Sequence, residues 1–153
     1  AAHEFPNIQF IWRLHPSMDF KEILRKLSLS DKLLLPKNII ISKLNFFDDV
    51  SKSHMAIYRG STSIITALQN EIYPIYLNDN EDINIDPIYE MKKWKLEIND
   101  LNELKKINNI KFMKKIQSSK NKKYAKKFAK NYFDKIKPNV LLSQISKSLH
   151  KNI

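Results

Sequence analysis

Two short stretches of this chain carry side chains suited to handling a phosphate group. One is Arg13-Leu14-His15-Pro16 and the other is Arg59-Gly60-Ser61-Thr62-Ser63. An imidazole can donate to a phosphate oxygen or to a departing phosphate, and guanidinium groups neutralise charge through paired contacts. Gly60 is the only glycine in the chain, and glycine turns with positive φ at no steric cost. The hydroxyls of Ser61, Thr62 and Ser63 stand beside that turn, where the N–H groups of a helix start can also meet an anion. Each stretch has a plainer reading as well. Ser61 to Ser63 serve equally as a helix cap, His15 as a loop residue before a proline, and Arg59 as a surface side chain.

The elements around these stretches read as strands alternating with helices. Asn7 to Leu14 is expected to be a buried strand, followed by a helix through Phe20, Ile23, Leu24 and Leu27. Asn38 to Ser42 and Met55 to Tyr58 read as strands, with a short helix at Asp48 to Lys52. Thr62 to Asn70 reads as the helix after the glycine, and Tyr73 to Leu77 as a fourth strand. The alternation predicts an α/β fold, a Rossmann-like parallel sheet with helices on both faces. In such sheets ligands bind beyond the carboxyl ends of the strands, where both phosphate-handling turns would fall. Asn78 to Asp86 reads as an acidic loop. Asp100 to Ile107 and Lys111 to Ile116 read as helices, Lys120 to Ile136 as a strongly basic helix, and Val140 to Leu149 as a short amphipathic one after Pro138. Residues 1–116 are taken as the Rossmann-like nucleotide-binding domain, and 117–153 as basic helices packed on it, a helical C-terminal extension.

Composition narrows the chemistry. The 153 residues carry a formal net charge of +11 and no cysteine, so disulfides and thiolate metal sites are excluded. The positive excess lies between Lys105 and Lys137, where Asp134 is the only acid. That basic stretch reads either as a solvated surface or as a contact for anionic partners. No apolar run approaches the roughly 20 residues of a membrane span, and no secretory signal is visible. The chain starts at Ala1 without a methionine, as a piece of a longer protein would. One glycine rules out Gly-x-Gly-x-x-Gly and Gly-x-Ser-x-Gly signatures, and Gly60 lacks the Gly-Lys of a P-loop. His3, His54 and His150 have no metal-ligand spacing. Asp79, Glu81, Asp82 and Asp86 lack the pattern of a calcium loop.

The order of parts, a strand ending in Arg-x-His-Pro, a helix, a strand, a strand ending at Gly-Ser-Thr-Ser, a helix ending in Ala-Leu and then Pro-Ile-Tyr, resembles the C-terminal, nucleotide-binding half of GT-B glycosyltransferases of bacterial surface-polysaccharide synthesis. The His-Pro and Ser/Thr motifs look like those of sialyl- and polysialyltransferases. The resemblance covers Asn7 to Leu77. It implies that His15 contacts the donor's phosphate and assists its departure, and that Ser61, Thr62 and Ser63 hold the phosphates; Arg13, Pro16, Arg59 and Gly60, beside them in the two turns, are read as completing the nucleotide site. Many enzymes of this group place a ribose-gripping glutamate where Thr66 precedes Ala67 here, which turns the expectation toward a CMP- or CDP-linked donor, with UDP next. The resemblance also implies glycosyl transfer with no cofactor and no required metal, and a glycan or lipid-linked acceptor. It further implies a cytoplasmic location at the inner membrane face, where the lysines would meet anionic lipid. An N-terminal acceptor domain of the same protein would complete the enzyme, so the chain alone is expected to bind without catalysing. The rival readings are a basic nucleic-acid-binding module and a non-enzymatic interaction domain. Lysines far outnumber arginines in the basic stretch, which argues against base readout.

Overall fold

The computed structural model describes residues 2–15, 17–19, 21–23, 25–26, 35–78, 85–107 and 110–134. Pro16, the expected helix positions Phe20, Leu24 and Leu27, the acids Asp79, Glu81 and Asp82, and everything from residue 135 onward lie outside the described residues. The chain divides into two compact units, Ala1–Lys52 and Ser53–Ile153.

In the first unit, strand β1 (Phe10–Trp12) pairs in parallel with β2 (Ile39–Ile41), Phe10 opposite Ile39. Residues 21–23 and 25–26, between them in sequence, are helical. The strand expected over eight residues shrinks to three, and all three are only half-buried. Ile40 is exposed, so the Ile39-Ile40-Ile41 run has one covered face rather than two. Asn38 ties the amino terminus to β2. Its side-chain amide donates to the carbonyls of Ala2, Phe5 and Ile8 at 2.9–3.0 Å, and Phe5 is buried. A short helix, Phe46–Ser51, starts at Asn45, whose side chain accepts from the Asp48 N–H at 3.0 Å.

The second unit holds a separate parallel sheet of three strands in the order β3 (Met55–Tyr58), β4 (Tyr73–Leu77), β5 (Leu96–Ile98). The strands are parallel as expected, but they form two small sheets instead of one. Pro74 sits in the central strand without breaking it. The Tyr73 N–H points toward β3, where it meets the His54 carbonyl. The N–H that Pro74 lacks would therefore point toward β5, whose ladder begins one residue later, at Ile75 opposite Leu96.

The helix after the glycine turn, Ser63–Gln69, buries Ile64, Ile65, Ala67 and Leu68. It ends in a Schellman motif: the Ile72 N–H reaches the Ala67 carbonyl and the Glu71 N–H reaches that of Leu68. Glu71 stands where glycine is usual, at φ +63°. Its carboxylate is held by Lys126 at 2.7 Å and Lys122 at 3.2 Å, both from the basic helix Ser119–Asp134. Ala125 and Ala129 are fully buried on the inner side of that helix. Small side chains there let the helix pack closely. Tyr124 is exposed, and Phe128 and Tyr132 are half-buried. On the remaining side of the unit, Tyr73 packs edge-on against both Trp94 and Phe112, with ring centroids 5.3 Å apart in each case. The expected helix at 100–107 is a 3-10 helix, Leu101–Ile107, and an α-helix follows at Ile110–Gln117. Among the described residues no helix is long and apolar enough to cross a membrane.

The two lysines hold the Glu71 carboxyl below its ordinary value of 4.5. A carboxylate with a lowered folded-state pKa adds stability above the unfolded value and loses it as pH falls through the folded one. Glu71→Ala keeps the positive-φ strain and loses the ion pairs, whereas Glu71→Gly loses the pairs but relieves the backbone. Thermal unfolding at pH 7 should therefore rank wild type above Glu71→Ala, with Glu71→Gly about 1 kcal/mol more stable than Glu71→Ala. The gap between wild type and Glu71→Gly should shrink below about pH 4.

Candidate functional site

In the first unit, Arg13 follows β1 directly. Its Nη1 donates to Asp49 Oδ2 at 2.7 Å and to the Leu44 carbonyl at 2.8 Å. The guanidinium also lies 5.7 Å from the centre of the Phe46 ring. Asp49 is buried, and Ser42 Oγ donates to the same Oδ2 at 2.5 Å. Arg13 thus joins the end of β1 to the helix Phe46–Ser51. Both bonds use one nitrogen, and 39 % of the side chain remains exposed.

His15 is exposed, and its ring is oriented by Ser17. The Ser17 backbone N–H donates to Nδ1 at 3.3 Å, and Ser17 Oγ lies 2.7 Å from the same atom. A ring nitrogen that accepts a backbone N–H carries no hydrogen, so in the neutral ring the proton sits on Nε2. Nε2–H is the donor left for an external acceptor.

In the second unit, β3 ends at Tyr58 and the chain turns at Gly60, φ +75°. The helix cap expected of the hydroxyl cluster is not made. Thr62 occupies the N-cap position in αR conformation with no side-chain cap bond, and Ser61 Oγ and Ser63 Oγ bond each other at 2.7 Å. All three residues are exposed. Hydroxyls bonded to one another rather than to backbone keep acceptor and donor capacity for an outside group. Arg59, beside the turn, is exposed as well.

What holds this turn in place is a residue read from sequence only as part of an acidic loop. Asp86 is 4 % exposed. Its Oδ1 accepts from the Tyr58 hydroxyl at 2.8 Å and from the Ile88 N–H at 3.0 Å, and its Oδ2 from Lys95 Nζ at 2.5 Å. Burial, and then the bond to this carboxylate, push the Tyr58 phenol well above its ordinary value. Asp86 therefore fastens the segment from Ile85 to Lys95 onto the end of β3. Ile85 is laid over Gly60 so closely that a Cβ there would meet its Cδ1 at 2.8 Å.

A cleft of about 330 Å³ opens next to Ile85. Ile85, Asp86, Pro87, Tyr89 and Glu90 line it from one stretch, and Phe128 and Tyr132 from the basic helix. Lys122 and Lys126 meet the far end of the 63–69 helix at Glu71, while Phe128 and Tyr132 come up beside Ile85. The two helices thus run antiparallel, and their packing brings aromatic side chains beside Ile85, the residue that covers the glycine. On its outer face the basic helix exposes Lys120, Lys123, Lys127 and Lys130.

His15 and Arg13 belong to the first unit and the Gly60 turn to the second. Among the described residues no group of three or more His, Asp or Glu side chains is placed to hold a metal ion. No protein-family model matches the chain, and neither a curated protein nor a solved structure does.

Three outcomes follow from this geometry. Gly60→Ala should cost about 1–2 kcal/mol in chemical unfolding, mostly from positive φ, because the Ile85 methyl can rotate away. Asp86→Ala should cost about 3–5 kcal/mol, because it strands Lys95, whose side chain is 11 % exposed, and the Tyr58 hydroxyl. Nitrogen NMR should find the neutral His15 ring protonated at Nε2, with Ser17→Ala shifting the population toward Nδ1–H.

Proposed function

We propose that this chain is the donor-nucleotide-binding part of a glycosyltransferase. It would hold a nucleotide-activated sugar, CMP- or CDP-linked in preference to UDP-linked, for transfer to a surface glycan. The observation that carries the reading is the turn after β3. A glycine at φ +75° closes a strand-to-helix connection in a parallel sheet, with the exposed hydroxyls of Ser61, Thr62 and Ser63 and the Arg59 guanidinium beside it. Hydroxyls and a guanidinium suit a phosphate's oxygens. The end of a parallel strand is also where open α/β sheets bind ligands. The first unit's His15 fits the same chemistry on its own geometry, since Nε2–H is the donor a departing phosphate needs. The resemblance to the C-terminal half of GT-B enzymes supplies the reaction class, the lipid-linked or glycan acceptor and the separate acceptor domain.

The outward lysines of the basic helix support a second reading, a surface for anionic partners, whether bilayer or nucleic acid. Salt distinguishes the two, because a lysine surface acting by charge alone loses affinity steeply with ionic strength.

Calorimetric titration of the full chain with CMP, CDP, UDP and GDP, alongside a short DNA duplex at physiological salt, tests the choice. The donor-site reading predicts selective binding of a cytidine nucleotide, reduced about tenfold by Ser61→Ala/Ser63→Ala and unchanged by Lys123→Ala/Lys127→Ala. Binding to DNA alone, fading with salt, would replace it with the charged-surface reading.

A further inference from the structure

The cleft beside Ile85, the residue that covers Gly60, is absorbed by none of the phosphate-handling chemistry. Three observations say what fits it. Its walls carry Tyr89, Phe128 and Tyr132 together with Pro87 and Ile85, and stacking on aromatic faces is how proteins hold planar bases without regard to charge. Its volume of about 330 Å³ is at the lower end of small-molecule sites, enough for a nucleoside and small for a folded partner. Its exposed polar wall is Glu90, which accepts from the Tyr89 hydroxyl at 3.3 Å. A carboxylate has about four acceptor positions and no donor, so it selects a base edge that presents an amino group, as cytosine N4 does, over one that presents a carbonyl.

We propose that this cleft is the base-binding pocket for the nucleotide, with the ring against Tyr89, Phe128 and Tyr132 and the amino edge at Glu90. The proposal rests on the donor-site reading for its phosphate end and deepens it by naming the residues that would hold the base and read its edge. It also assigns a use to Phe128 and Tyr132, which are only half-covered. The antiparallel packing of the two helices carries these rings to Ile85, which lies over the glycine turn, so that one bound nucleotide would reach past Ile85 to both places.

The test uses the full chain and four probes: CMP, UMP, cytidine and ribose 5-phosphate. Calorimetry should find CMP bound at least tenfold tighter than UMP, cytidine bound measurably, and ribose 5-phosphate far more weakly than CMP. Phe128→Ala should weaken CMP and cytidine about tenfold alike. Glu90→Gln, at an exposed position and checked for folding in the same way as the Phe128 variant, should bring CMP and UMP within about twofold of each other. Circular dichroism and the melting temperature confirm that the Phe128 variant is folded. CMP binding that falls in Ser61→Ala but ignores Phe128→Ala and Glu90→Gln overturns the base pocket and leaves the donor-site reading standing. Cytidine binding as tightly as CMP, with both sensitive to Phe128→Ala, keeps the pocket and removes the phosphate half. Failure of cytidine and CMP alike overturns both.

Discussion

One buried carboxylate holds the second unit's loops to its sheet. Asp86 lies out of water, and an unpaired charge there would be costly. Donors converge on it from the Tyr58 end of β3, from the backbone two residues on, and from Lys95, just before β5. The charged donor matters most, since hydrogen bonds to charged groups are the stronger ones and removing Lys95 would leave a buried charge without its counter-ion. The consequence is positional. Residues 85 to 95 are fixed at the end of β3, Ile85 covers Gly60, and the wall of the cleft is set. Tyr76 shares this environment, and burial together with the nearby Asp86 charge raises its phenol above the ordinary value.

A second constraint works from the opposite side. The Ser63–Gln69 helix ends at Glu71 in a conformation that disfavours any side chain, and two lysines of the basic helix hold that side chain. Ala125 and Ala129 are buried on one side of the basic helix, which presents Lys122 and Lys126 to Glu71 at one end and Phe128 and Tyr132 to the 85–90 segment at the other. The acid-anchored segment thus lies between the glycine turn, which Ile85 covers, and the aromatic rings. Tyr73 forms the centre of the other cluster. Its hydroxyl is buried with no hydrogen-bond partner among the described residues, and desolvation pushes its pKa up to about 12.

The local parts were legible in the sequence because local physics sets them. The strands at Met55–Tyr58 and Tyr73–Leu77 stand where their apolar runs predicted, and Gly60 turns with positive φ as its uniqueness suggested. The helix after it differs from expectation by one residue at each end. Long-range effects were not legible. The split into two sheets depends on pairing partners, which an apolar run does not specify. β5 went unread although Trp94-Lys95-Leu96-Glu97-Ile98 alternates apolar and polar residues, the period-2 pattern of a half-covered strand. Asp86 looked like one acid in an acidic loop, because its worth comes from Tyr58 and Lys95, distant in sequence. Arg13 looked available for phosphate, but a buried aspartate after β2 engages it. The hydroxyl cluster promised a cap, and its serines bond each other instead.

The central claim is that a nucleotide occupies the Gly60 turn and the adjoining aromatic cleft. The most direct measurement is a backbone amide NMR titration of the full chain with CMP. The account predicts shifts confined to Gly60, Ser61, Ser63, Ile85, Tyr89, Glu90 and the Phe128–Tyr132 turn, saturating with CMP concentration. Shifts confined to Lys120, Lys123, Lys127 and Lys130, or a spectrum that CMP leaves unchanged, would contradict it.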